Sequence, residues 1–114
     1  MSDNSNKKQF LVVIRDYTDE GALERRMAAR PKHLAMAETS YPNYIVCGGA
    51  IFDSHENRKM VGSAMICLAE SEEELREKIA QDPYVLGKVW ESWTIYPYRN
   101  AVGLKSELPG PVIV

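Results

Sequence analysis

The sequence predicts one α+β domain whose elements follow the order β-α-β-β-α-β. Four apolar runs have the length and composition of β-strands, and two segments between them carry apolar residues at helical spacing. The chain has 114 residues, of which 45% are hydrophobic and 26% are charged, as is typical of a single globular domain.

The first half of the chain predicts a strand and a long helix. Residues 10–14 are apolar and rich in β-branched side chains, which favours a strand covered on both faces. Residues 22–40 predict a helix, and Pro31 either kinks this helix or begins its second half. Residues 41–43, with the sequence Tyr-Pro-Asn, predict its end.

The second half predicts three strands and a shorter helix. Residues 44–52 and 61–69 are strands joined by a polar hairpin loop, and residues 89–98 form the last strand. Between them, Ser71 and Glu74 form a capping box that opens a helix. The complete order is the ferredoxin-like arrangement, in which two helices cover one face of an antiparallel sheet.

Side-chain alternation predicts which residues of the strands share a face. Gly48 and Gly49 lie inside the second strand, where paired glycines suggest a bulge or a close approach by another group. In the last strand, one face is expected to hold Trp90, Ser92, Thr94 and Tyr96, and the other Trp93 and Ile95.

Three regions and a homodimer are expected. Residues 1–8 are polar and predict a disordered tail, residues 9–98 form the domain, and residues 99–114 form a C-terminal extension. Strands that are apolar on both faces need cover on the face without helices, and a second copy of the chain provides it. The apolar end of the extension is expected to fold over the partner protomer.

Composition argues against several classes of function. The net charge of −2 lacks the basic excess of a nucleic-acid-binding protein, and no apolar stretch has the length of a membrane span. The N-terminus has no signal-peptide core. Cys47 and Cys67 lie in apolar strands without the spacing of a zinc site, so we expect buried free thiols, no bound metal and a cytoplasmic protein.

His33 and Asp82 are the residues most suited to acid–base chemistry. His33 lies within the first helix, and Asp82 begins Asp82-Pro83-Tyr84, where the second helix ends or a short extra turn begins. Histidine transfers protons near neutral pH, and a carboxylate on its second ring nitrogen would orient it. The alternatives are a structural histidine and an aspartate that only caps a turn.

Other residues could complete a small-molecule site. Ser63 follows a glycine at the start of the third strand, which is also an ordinary structural position. Arg30 on the first helix could bind an anionic group, although surface solvation is the default for the arginines of this helix. Tyr84 and Trp93 could line a ligand pocket, or they could belong to the core or a dimer interface.

The chain resembles the YciI-like family, also called the YCII-related domain family. The resemblance covers residues 9–98 and is carried by the runs Ala22-Leu23-Glu24-Arg25-Arg26, Arg30-Pro31-Lys32-His33-Leu34, Gly48-Gly49-Ala50-Ile51, Gly62-Ser63 and Asp82-Pro83-Tyr84. It implies a dimeric α/β barrel and a cleft in which His33 pairs with Asp82, with Ser63 nearby. The chain departs from the family pattern at Gly49, where many relatives have proline.

The resemblance also indicates the kind of reaction. One branch of the family eliminates chloride from a chlorinated hydroxyquinol, and the wider superfamily includes isomerases and monooxygenases that use no cofactor. We therefore expect a cofactor-independent enzyme in which His33 and Asp82 transfer a proton during elimination or isomerisation of a small cyclic metabolite. The alternative is a non-catalytic module that binds a small ligand or serves a partner enzyme.

Overall fold

The structure, a computed structural model, describes residues 6–103 and has the predicted order of elements with one short extra helix. The strands are β1 (Lys8–Asp16), β2 (Ile45–Phe52), β3 (Met60–Ala69) and β4 (Trp90–Tyr98). The helices are α1 (Ala22–Ser40), α2 (Glu72–Ala80) and α3 (Pro83–Leu86). Most of the predicted N-terminal tail, and the predicted clasp by the end of the C-terminal extension, lie outside the described residues.

The four strands form one antiparallel sheet in the order β2-β3-β1-β4. This order confirms the ferredoxin-like α+β fold, with β1 and β3 at the centre. Phe10, Val12 and Ile14 of β1 are at most 5% exposed, and the residues between them, Leu11 and Val13, are less buried. Such alternation is what a strand with one face against the core requires. The core therefore lies between this face of the sheet and the helices.

The second helix packs where its sequence predicts. The Ser71 hydroxyl accepts a hydrogen bond from the Glu74 amide at 3.1 Å, and the Glu74 carboxylate accepts one from the Glu70 amide at 2.9 Å. The Ser71 half of the predicted capping box is therefore present, whereas the Glu74 carboxylate binds the amide one residue before the N-cap. Leu75 and Ile79 lie one turn apart on the inner face of α2, and both are fully buried.

Helix α1 continues through Pro31 as one helix of 19 residues. Its apolar residues Leu23, Met27 and Leu34 are 39–50% exposed, so they do not form its inner face. The inner face instead combines the core-packed residues Ala29, Met36 and Ala37 with two polar side chains, the buried Arg26 and the mostly covered His33. Among residues 6–103, no helix has the length and the apolar composition needed to cross a membrane.

Two expectations about burial are wrong. Trp90 does not share a face with Thr94 and Tyr96, because the register between β1 and β4 shifts at Asp16 and turns Trp90 into the core. The irregular pairing acts as a β-bulge, which changes the direction of the next side chain. Cys67 is a buried free thiol as expected, but Cys47 is exposed on the edge strand β2.

The face of the sheet opposite the helices carries many apolar side chains. Val13 and Leu11 alternate with the buried residues of β1, and Ala64 and Ile66 are their partners on β3. Tyr96 on β4 is 49% exposed at the same face. An apolar sheet face of this kind is typical of a surface that another protein covers.

We predict that two copies of the chain pack these faces together. Val13→Lys places a charge in the middle of the proposed interface and should convert a dimer to a monomer in sedimentation velocity at micromolar concentration. Leu86→Lys on α3 is the control, since Leu86 is 72% exposed on the helical side and should leave the dimer intact. A wild-type chain that sediments with the mass of a monomer would contradict the prediction.

Candidate functional site

A cavity of about 220 Å³ lies between α1 and the β2 and β3 strands. The helix contributes Arg26, Arg30, His33, Leu34 and Ala37; the strands contribute Ile45, Gly48, Gly49, Ala50, Met60, Ser63 and Met65; and α3 contributes Tyr84. The strand wall is therefore apolar apart from the hydroxyl of Ser63, and the helical wall carries two arginines and a histidine. A partly apolar cavity with a few convergent polar groups is the usual form of a small-molecule site.

His33 and Asp82 meet at this cavity. His33 Nδ1 lies 2.9 Å from Asp82 Oδ1 and 3.0 Å from Asp82 Oδ2. The Asp82 side chain is fully buried, whereas the His33 side chain remains 12% exposed. Asp82 also caps α3, because its Oδ1 accepts the Tyr84 amide at 2.8 Å. One carboxylate thus holds the start of α3 and the imidazole together.

Two aromatic rings hold the imidazole of His33. Its ring stacks on Tyr84, with centroids 4.2 Å apart and an angle of 23° between the planes, and it meets the edge of Trp90 at 5.4 Å. Stacked and edge-on contacts of this kind add to the area that the rings bury. Burial raises the pKa of the Tyr84 phenol, so this ring is neutral at physiological pH.

A buried ion pair forms part of the cavity wall. Arg26, which is 3% exposed, donates from Nη1 to both carboxylate oxygens of Asp16 at 2.9 and 2.7 Å. Its guanidinium also lies 4.8 Å from the centroid of the Tyr84 ring. Burial raises the pKa of the Asp16 carboxyl, and the hydrogen bond and charge of Arg26 oppose that increase. The pair joins α1 to the end of β1.

Ser63 completes this network from β3. Its hydroxyl oxygen accepts Arg26 Nη2 at 2.8 Å and Trp90 Nε1 at 3.3 Å. The preceding Gly62 allows β3 to approach β1, because a Cβ at Gly62 would collide with the carbonyl oxygen of Ile14. The buried network therefore connects β1, α1, β3 and β4.

The glycines of β2 form part of the cavity wall without filling it. A Cβ added to Gly48 would lie 3.1 Å from Met65 Cγ, whereas one added to Gly49 would meet nothing within 4 Å. Gly48 thus faces the same side as the buried Met65, and its missing side chain leaves room in the cavity. The irregular pairing of β2 with β3 lies on either side of the two glycines and not at them.

Most of the predicted site residues come together. His33, Ser63, Arg30 and Tyr84 line the cavity, and Asp82 lies directly behind His33. Trp93 does not line it; its side chain packs against the core from β4, where it pairs with Ile14. Among residues 6–103, no three His, Cys, Asp or Glu side chains are grouped as a metal site requires.

Sequence reasoning missed Arg26 and Trp90. Surface solvation was the default expectation for Arg26, and it is wrong, because the guanidinium is buried in the network described above. The spacing could have indicated this, since Arg26 and His33 are seven residues apart and so lie on one face of the helix. No comparable signal exists for Trp90, whose direction depends on the irregular pairing of β4.

We predict that the Asp16–Arg26 pair is essential to stability. Asp16→Asn leaves the guanidinium buried without its counter-charge and should lower the free energy of unfolding by about 3 kcal/mol in urea denaturation. Asp19→Asn is the matched control, because it breaks the exposed ion pair with Arg25 and should change stability little. Equal unfolding free energies for the two variants would contradict the prediction.

Two fungal proteins are similar to this chain over more than half of its length. Derivative of benzaldehyde biosynthesis cluster protein C of Emericella nidulans is 42% identical over 77 residues, which cover 59% of this chain and 76% of that protein. Fusaric acid biosynthesis protein 2 of Gibberella moniliformis is 29% identical over 102 residues, which cover 84% of this chain and 97% of that protein. Both names refer to the biosynthesis of small molecules.

Other relatives are longer than this chain. The chain spans 56% of the length of Aspercryptin biosynthesis cluster protein B of Emericella nidulans, to which it is 27% identical over 90 residues. It spans 18% of Aspartate kinase FUB3 of Fusarium oxysporum, with 31% identity over 100 residues. The similarity to these proteins therefore concerns only a part of each.

A solved structure has the same fold. The 5-chloro-2-hydroxyhydroquinone dehydrochlorinase TftG from Burkholderia phenoliruptrix AC1100, in complex with 2,5-dihydroxybenzoquinone, aligns with a TM-score of 0.69 and 24% identity. The alignment covers 82% of this chain and 95% of that one.

The family model of the YCII-related domain matches residues 10–99 of this chain. The chain therefore belongs to the YCII-related domain family.

Proposed function

We propose that the protein is a cofactor-independent enzyme that transfers a proton on a small cyclic metabolite, with His33 and Asp82 as its acid–base pair. The observation that carries this proposal is the 2.9 Å contact between His33 Nδ1 and the buried Asp82 carboxylate at the wall of the cavity. A histidine held in this way has the geometry of a general base.

The contact assigns different tasks to the two nitrogens of His33. When the imidazole is neutral, an Nδ1–H donated to Asp82 leaves the lone pair on Nε2, which has no hydrogen-bond partner among residues 6–103. The carboxylate also stabilises the imidazolium that forms when Nε2 accepts a proton. His33 therefore acts as the base, and Asp82 orients it without contacting the substrate.

The charges around the cavity favour a substrate that carries a negative charge. Arg30 lines the cavity and forms no ion pair within the described part of the chain. Arg26 adds a second guanidinium to the same wall, although its ion pair with Asp16 neutralises much of its charge. A guanidinium at an open site binds carboxylates and ionised hydroxyl groups well, because its donors form a fork.

In an elimination, His33 Nε2 takes a proton from a hydroxyl group or an acidic carbon of the substrate. The electron pair left behind forms a double bond, and the leaving group departs as an anion. In an isomerisation, the same proton returns to another carbon of the substrate. Neither course needs an oxidant or a reductant. After an elimination, the protonated His33 releases its proton to water, whereas in an isomerisation the return of the proton to the substrate already restores the neutral base.

The relatives support this substrate class. TftG is named as a dehydrochlorinase of a chlorinated hydroxyhydroquinone, and the fungal relatives are named for roles in biosynthesis. A ring with ionised hydroxyl groups matches the arginines and the apolar strands of the cavity in this chain. Such hydroquinones are therefore the first substrates to test.

We predict that His33→Asn abolishes most of the turnover. Removing a general base should lower kcat by at least about 100-fold, measured as chloride release from 5-chloro-2-hydroxyhydroquinone and as isomerisation of related hydroxylated rings by NMR. The control is His55→Asn, which alters the other histidine in an exposed loop and should retain activity. Circular dichroism checks that both variants fold.

Two outcomes would count against the proposal. If His33→Asn turns over a substrate as fast as the wild-type chain does, His33 is not the base. If the wild-type chain binds these rings but converts none of them, the cavity is better explained as that of a small-ligand-binding or accessory module.

A further inference from the structure

We infer that Ser63 is an obligate hydrogen-bond donor to an oxygen of the ligand and not a nucleophile. This inference rests on the proposed function and makes it more specific. It assigns the ligand to rings that carry a carbonyl oxygen or an ionised hydroxyl oxygen beside the group that His33 deprotonates.

The partners of Ser63 determine the direction of its hydrogen bonds. The guanidinium of Arg26 and the indole N–H of Trp90 can donate but cannot accept. Both point at the Ser63 hydroxyl oxygen, at 2.8 and 3.3 Å. A hydroxyl has two acceptor positions and one proton, so these two donors occupy both of its lone pairs.

The remaining hydroxyl proton has no acceptor within residues 6–103. Ser63 is only 4% exposed, and it is one of the residues that line the cavity. A buried donor without a partner costs about 1–3 kcal/mol. A ligand oxygen inside the cavity would remove this cost, whereas an apolar ligand would not.

The charge behind Ser63 strengthens its hydroxyl as a donor. Arg26 polarises the hydroxyl oxygen, because a charged donor withdraws electron density from the O–H bond in a buried network. Asp16 holds Arg26 with two hydrogen bonds, so the guanidinium is fixed in its position beside the Ser63 hydroxyl. Arg30 supplies a further positive charge at the same cavity. Together these groups favour an oxygen that carries negative charge.

The same geometry argues against a nucleophilic serine. A nucleophilic hydroxyl needs a base that accepts its proton and a lone pair that is free to attack. Both lone pairs of Ser63 are engaged by donors, and no hydrogen bond joins its hydroxyl to His33 Nε2 within residues 6–103. Ser63 and His33 lie against the same indole, since the His33 ring also meets Trp90. They can therefore act on neighbouring atoms of one ligand.

Binding of 2,5-dihydroxybenzoquinone tests this inference without any turnover. Isothermal titration should show that Ser63→Ala binds this dianion at least about 10-fold more weakly than the wild-type chain, which is the effect of losing one hydrogen bond to a charged group. Ser63→Thr keeps the hydroxyl and should restore most of the affinity. Ser63→Cys keeps the volume but donates weakly, and it serves as the second variant if Ser63→Ala does not fold.

Infrared spectra of the bound probe separate donation from a purely structural role of Ser63. The C–O stretch of the probe should lie at lower frequency in the wild-type chain and in Ser63→Thr than in Ser63→Ala or Ser63→Cys. Equal affinities and equal stretches in all four proteins would overturn the inference and leave the role of His33 untouched. A wild-type chain that does not bind the probe at millimolar concentration would overturn the ligand class.

The two proposals can fail independently. If the protein binds the probe through Ser63 but converts no substrate, the inference stands for a ligand-binding site and the proposed enzymatic function fails. If turnover depends on His33 but not on Ser63, the proposed enzymatic function stands and the inference that Ser63 donates to the ligand fails.

Discussion

The position of the site depends on one buried ion pair, that of Arg26 with Asp16. A guanidinium that is 3% exposed would be very costly without its carboxylate, so the two residues must stay together once the protein folds. The pair fastens α1 to the end of β1, and the bond to Ser63 fastens it to β3 as well. Because His33 follows Arg26 by two turns on the same helix face, this attachment also places the imidazole.

The other half of the site is held by the short helix α3. Asp82 caps this helix and binds His33 with the same carboxylate, and Tyr84 in its first turn stacks on the imidazole. A segment of three residues therefore supplies the polar contact of His33 and one of its two aromatic contacts. Since α1 and α3 hold the histidine from two directions, the ring is already oriented in the protein alone, which is what the proposed acid–base role needs.

The fold and part of the site could be predicted because their signals are local. Strand composition, the capping box and the spacing of turns lie within a few residues of each other, and His33 and Asp82 are the residue types that proton transfer requires. Burial of Arg26 could not be predicted in this way, because it depends on a carboxylate from another element. The same is true of Trp90, whose direction follows from pairing with β1, and of Cys47, which pairs with Ile66 on the sheet face opposite the helices.

The most direct test of this account is the tautomer of His33, read from ¹⁵N chemical shifts of the histidine side chains by NMR at a pH where the ring is neutral. If Asp82 accepts the Nδ1 proton, the spectrum will show a protonated Nδ1 and an unprotonated Nε2, and Asp82→Asn will alter this pattern. His55 in the exposed loop provides an internal reference with no such bias. A neutral His33 that carries its proton on Nε2 would contradict the account, because that nitrogen could not then accept a proton from a substrate.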